Sequence, residues 1–272
     1  MKTETKKAES PKEVFEHVNL DYTALCIGAY DNINFNFSFP IMPFDYLNYA
    51  QKDMSENSQR GLINALANSK RSIDCLIEVV LRSLYIDPNN IEKAALDFCT
   101  EILVGKEKDI SPASLRLFCA LGFAPSFMIS EVRNLRNKVE HEFQIPNELD
   151  VVRALEIAEL LINNVKAKEI YSTTIDISDA KNYEPVGDGY ITGVYFSEDY
   201  QTKSFQLLGK NKSKIECVYT FDTKDTEYYY FLRAMFVAYH DDEKLINTVY
   251  KLIEVLDVKT PRQFVKVKST HR

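Results

Sequence analysis

Between Ser58 and Ile86 the apolar residues Leu62, Leu66, Ile73, Leu76, Ile77, Val80, Leu81 and Leu84 keep a 3.6-residue period. The pattern stops at Asp87-Pro88, because the residue before a proline is pushed out of the helical region. Ile91, Ala95, Phe98, Cys99 and Ile102 continue it in a second helix, closed by Gly105. Ser111-Pro112 reads as a new start, with a serine cap and proline at the first helical position. Leu115, Phe118 and Leu121 line that short helix, and Gly122 ends it. Val132, Leu135 and Val139 mark a further helix that breaks near Pro146. Asn147 then caps a last one, with the stripe Val151, Leu155, Ala158, Ile162 and Val165. Short connections between helices predict an all-α bundle over residues 44–167.

Beyond residue 167 the composition changes to that of strands. IYSTTIDI, YITGVYF, KSFQLL and KIECVYTF are rich in β-branched and aromatic residues and are separated by polar turns. They predict an antiparallel meander. Helical spacing returns in Tyr228, Phe231, Leu232, Met235 and Tyr239, then in Leu245, Val249, Ile253 and Leu256. The expected fold class is α+β. Residues 1–12 are expected to be a disordered tail and 13–43 an irregular segment in which INFNFSF alternates like a strand. Residues 44–167 form the bundle, 168–187 a linker with the first strand, 188–258 a small α+β module, and 259–272 a frayed tail.

Composition supports a packed core, with 45% hydrophobic and 27% charged residues. A net charge of −7 excludes a bulk electrostatic grip on nucleic acid, so such binding needs a local basic site. The five cysteines form no Cys-x-x-Cys pair and are read as free thiols of a reducing cytosol. The four histidines are scattered without zinc-ligand spacing, so neither a metal nor another cofactor is expected. There is no apolar run of about 18 residues and no signal-like segment, so a cytoplasmic protein without membrane contact is expected.

One stretch concentrates chemistry. In SEVRNLRNKVEHEF, residues 130–143, Arg133, Arg136, Asn137, Glu140 and His141 crowd into about two and a half turns of helix. Arg133 with Asn137, Asn137 with His141, and Arg136 with Glu140 are each four apart and share a face. Arg136 and His141 are five apart, about 140° around a straight helix, which the long arginine folding toward the imidazole or a second chain can overcome. Histidine can take the proton of a ribose 2′-OH or protonate a leaving 5′-oxygen, while arginine holds the phosphate. Asp74, Glu78 and Arg82 make a polar stripe on the long helix, read as a salt-bridged face or as outer support orienting Arg133 or Arg136. Tyr228–Tyr230 are read as core, with base stacking as the alternative.

Arg136-Asn137-Lys138-Val139-Glu140-His141, led by Leu135 and followed by the long helix from Asn147, resembles the signature of HEPN domains. That superfamily of helical bundles is common in RNA-targeting defence and toxin systems. The resemblance covers about 44–167. It implies a homodimer with two motif helices lining one cleft, and metal-independent endoribonuclease activity that leaves a 2′,3′-cyclic phosphate. It assigns the catalytic pair to Arg136 and His141, with Asn137 in support. One subgroup carries a tyrosine two residues after the histidine that a nucleotidyltransferase partner modifies; Phe143 stands there, which argues against that control. The alternative reading is a non-catalytic dimeric module that binds nucleotide, RNA or a partner protein, with the C-terminal module as the recognition surface.

Overall fold

The computed structural model describes residues 4–169, 174–182, 192–212 and 215–270. In chain order these form β1 (Glu4–Lys7), α1 (Pro11–Val18), β2 (Leu25–Tyr30), α2 (Pro43–Ser55), α3 (Gln59–Ser83), α4 (Lys93–Ile102), α5 (Ala113–Ala120), α6 (Ser126–His141) and α7 (Glu148–Lys168). Then follow β3 (Thr174–Asp179), β4 (Gly193–Asp199), β5 (Ser204–Lys210), β6 (Ile215–Thr220), α8 (Thr226–Val237), α9 (Asp242–Val255) and β7 (Val267–Ser269). Among the described residues this is a mixed α/β protein of nine α-helices and one seven-stranded sheet. The chain divides into two compact units, one of residues 1–33, 92–98 and 169–272, the other of 34–91 and 99–168.

The first unit is built on the sheet, in the order β1-β6-β5-β4-β3-β2-β7. Strands β3 to β6 pair antiparallel with their sequence neighbours, in the segments marked by β-branched and aromatic residues and polar turns. The expected meander is only part of the sheet. β2 joins it antiparallel to β3, β1 pairs parallel with β6, and β7 pairs parallel with β2. Residues 4–7 are therefore a strand and not a disordered tail, and Ser10 caps α1 through the Glu13 amide. Residues 13–43 are likewise ordered in part as α1, β2 and the start of α2, and residues 267–269 are a strand instead of a frayed end. The described parts of 188–258 make no separate module, because β1, β2 and β7 complete their sheet. Parts of the expected linker and first strand, 170–173 and 183–187, lie outside the described residues.

Aromatic rings fill the core of this unit. Phe196 stacks on Phe205 and Phe231 at 5.1 and 4.8 Å between centroids, and Phe221 stacks on Tyr228 at 5.7 Å. Tyr228, Tyr229 and Tyr230 are all buried, so they present no ring to a nucleobase. Helix α1 lies close over β5, where a Cβ on Gly209 would sit 2.8 Å from Val14 Cγ1 and 2.9 Å from Val18 Cγ2. Glycine permits that approach. Residues 92–98, expected in the bundle, belong here instead. Their anchor is Phe98, whose ring lies 5.8 Å from Tyr229 and 5.0 Å from Tyr230.

The second unit holds α2, α3, the end of α4, α5, α6 and α7 as its helices. Ser58 caps α3, its hydroxyl accepting from the Gly61 amide at 3.0 Å. Asn147 caps α7, accepting from the Asp150 amide at 2.8 Å and donating to the Asp150 carboxylate at 2.7 Å. At α5 it is Pro112, and not Ser111, that holds the cap position, with no side-chain hydrogen bond. The alternating segment INFNFSF is not a strand. Among the described residues no strand pairs with it, and its rings pack against other side chains. Phe35 meets Phe123 edge-on at 5.7 Å, and Phe37 meets Phe39 at 5.0 Å and lies under the Arg82 guanidinium. The Phe37 amide donates to Ser83 Oγ at 3.0 Å.

Candidate functional site

Helix α6 starts buried and ends exposed. Ser126 donates to Glu107 at 2.9 Å at its first turn, and Ile129 and Val132 are fully buried. Leu135 and Val139, expected to face the core, are only half-buried. The apolar stripe thus weakens as the polar residues accumulate. The charged groups of the motif end up at the surface, reachable by a ligand.

The structure separates the candidate residues into two sets. Arg133 reaches across to α3 and places Nη1 3.3 Å from Asp74 Oδ1, while the other carboxylate oxygen of Asp74 pairs with Lys70. Glu78, one turn further along α3, accepts from Arg82 Nε at 3.0 Å. Asp74 thus pairs with Arg133 of α6 as well as with Lys70 of its own helix, while Glu78 pairs with Arg82 within α3. Arg136 belongs to the second set and forms an ion pair with Glu140 on its own face. Asn137 and His141 are exposed. Among the described residues, no hydrogen bond or ion pair joins Arg136, Asn137 and His141 to one another. That is the consequence of the five-residue spacing: in one copy the guanidinium and imidazole diverge around the helix.

Two cavities open on either side of the α3 carboxylates. One, of about 560 Å³, is lined by Asp74, Glu78, Arg133, Asn89, Asn90 and Ser114 among others. The other, of about 500 Å³, is lined by Asp74 and Glu78 together with Phe39, Ile41, Tyr46 and Cys75. Burial pushes the Cys75 thiol up to about 11, helped by the nearby Glu78, Asp45 and Asp74 carboxylates, so it is no nucleophile at neutral pH. Sequence reading missed Asn89, Asn90 and Ser114. They sit in loops and at a helix start, where it registered only the boundary signals Asp87-Pro88 and Ser111-Pro112.

Among the described residues, no group of three or more His, Cys, Asp or Glu could hold a metal ion. No helix among them is long and apolar enough to cross a membrane. No family model, curated protein or solved structure matches this chain, so its own residues carry the functional argument.

Proposed function

We propose that this chain is a metal-independent endoribonuclease of the HEPN type, acting as a homodimer in a defence or stress system. The helices of residues 34–91 and 99–168 serve as its HEPN-like bundle and the strand-rich remainder as a surface for RNA or a partner protein. The observation that carries this reading is the exposed C-terminal half of α6, where Arg136, braced by Glu140, shares two turns of helix with Asn137 and His141. Base, acid and phosphate-binding cation are then all side chains, and the chemistry calls for no metal. His141 removes the 2′-OH proton as that oxygen attacks phosphorus. The P–O5′ bond breaks, and the leaving oxygen takes a proton from a second imidazolium or from water. The products are a 2′,3′-cyclic phosphate and a 5′-hydroxyl. Arg136 stabilises charge on the phosphoryl oxygens and Asn137 orients the phosphate or the imidazole.

A second copy supplies what one helix cannot, bringing Arg136 of one chain towards His141 of the other. The surface of α6, α7 and their connection suits such a contact, because Phe127, Phe143, Ile145, Leu149 and Leu160 are large, apolar and exposed there, Phe143 at 88%.

The test is end-group analysis of RNA incubated with the purified chain, with and without EDTA. Cleavage is expected to persist in chelator, leave cyclic phosphate ends and spare DNA of the same sequence. His141→Ala should lower the rate about 10²- to 10⁴-fold with the fold intact. Arg136→Ala should cost a similar order, and Arg136→Lys should rescue poorly, since an ammonium lacks the planar fork. Undiminished cleavage by His141→Ala, or loss of activity in EDTA, rejects the assignment. A wild type that cleaves no RNA favours the non-catalytic module.

A further inference from the structure

We infer that the cavity between α3, the 87–91 loop and the start of α5 is a base-recognition subsite that takes guanine. The substrate class rests on the ribonuclease reading; the selectivity rests on the cavity itself. Its volume of about 560 Å³ falls in the range of small-ligand sites, roughly 300–1,000 Å³. Ile91 and the ring of Pro112 form the accessible apolar part of its wall, backed by the buried Ile77, Leu115 and Pro88. Of the two carboxylates in the wall, Asp74 is already paired with Lys70 and Arg133, so Glu78 is the one left to accept from a ligand that brings hydrogen-bond donors.

The polar groups have capacity to spare. Glu78 engages Arg82 through Oε2, and among the described residues its Oε1 accepts no hydrogen bond. The side-chain amides of Asn89 and Asn90 also bond to no other described residue; only their backbone amides are engaged, with Asp87. At α5 the cap residue is a proline, so the first-turn amides of Ala113 and Ser114 receive no side-chain cap.

The wall therefore places a carboxylate acceptor beside amide and guanidinium donors. Guanine matches that combination. Its N1–H and N2–H₂ lie side by side for a carboxylate, while O6 and N7 accept from an amide or from Arg133. Adenine and cytosine each offer one exocyclic amino group, and uracil one ring N–H, so they make fewer of these bonds. Arg133 also links the cavity to the motif. Arg136 lies three residues on from this wall residue, about 4.5 Å along the helix axis.

The experiment is calorimetric titration of the full chain with guanosine 3′-monophosphate and its adenosine, cytidine and uridine counterparts, none of which needs to be cleaved. Guanosine is expected to bind about tenfold tighter than the others or better. Glu78→Gln, which puts an amide hydrogen towards N1–H, should weaken guanosine about 5- to 150-fold and level the four affinities. Asn90→Ala, an exposed loop change that does not endanger the fold, should weaken guanosine in the same direction. Equal affinities for all four nucleotides, or a guanosine preference that both variants retain, overturns the inference. The two readings fail separately. RNA cleavage without guanine selectivity leaves the ribonuclease and removes the subsite; selective, Glu78-dependent guanosine binding without cleavage does the reverse.

Discussion

Cys99 and Cys119 lie deep in apolar surroundings, and burial pushes each thiol up to about 12. Cys75 reaches about 11, and Cys26 and Cys217 are raised as well, burial being the first cause in each case. For Cys75, Cys99 and Cys119 the reactive thiolate therefore appears only at strongly alkaline pH, while Cys26 and Cys217 are shielded by their burial. At pH 8 a thiol of pKa 11 is ionised to about one part in a thousand. The folded chain is therefore expected to resist a thiol-specific reagent at pH 8, with all five cysteines reacting once denaturant is added. Rapid stoichiometric labelling of the native chain would contradict that burial. Phe143 is the opposite case, an aromatic almost fully exposed on a left-handed backbone at φ 55°. Neither packing nor backbone preference accounts for it within one chain.

At the scale of elements, α7 shows how a cap sets a boundary. Asn147 satisfies the Asp150 amide and is itself tied to the Asp150 side chain. Asn147→Ala should cost about 1 kcal/mol, lowering the midpoint of thermal unfolding by about 2–4 °C. A scanning-calorimetry shift near zero would show that the cap adds nothing in this context. Helices of this kind were readable in advance, because apolar period and cap residues are local. Strand β1 was not. Its ETKK side chains are all exposed, and the strand exists through backbone hydrogen bonding to β6, more than 200 residues away. INFNFSF carried the reverse signal, an alternation without a partner strand, and its rings were used for packing instead.

For the whole molecule, the divergence of Arg136 and His141 and the exposed apolar surface of α6 and α7 make the same prediction. Light scattering should give a mass near twice 31.4 kDa. Leu149→Asp, which puts a charge at an exposed position of that surface, should yield a folded monomer with greatly reduced RNA cleavage. A strictly monomeric wild type that cleaves RNA would remove the shared cleft while leaving the chemistry of His141 open to test.

The sequence by itself determined most helices and the strand-forming segments β3 to β6, since a 3.6-residue or two-residue apolar period is written in neighbouring positions. It also marked α6 as the densest collection of reactive side chains. Only the tertiary structure decided that β1 and β7 close the sheet as parallel neighbours, and that residues 92–98 join the sheet unit through Phe98. It alone showed that Asp74 holds Arg133, and that Asn89, Asn90 and Ser114 line one cavity with them. The reason is physical. Strand pairing is satisfied by backbone groups that every residue carries, and a cavity is made by side chains far apart in the chain, so neither leaves a periodic trace in the order of residues.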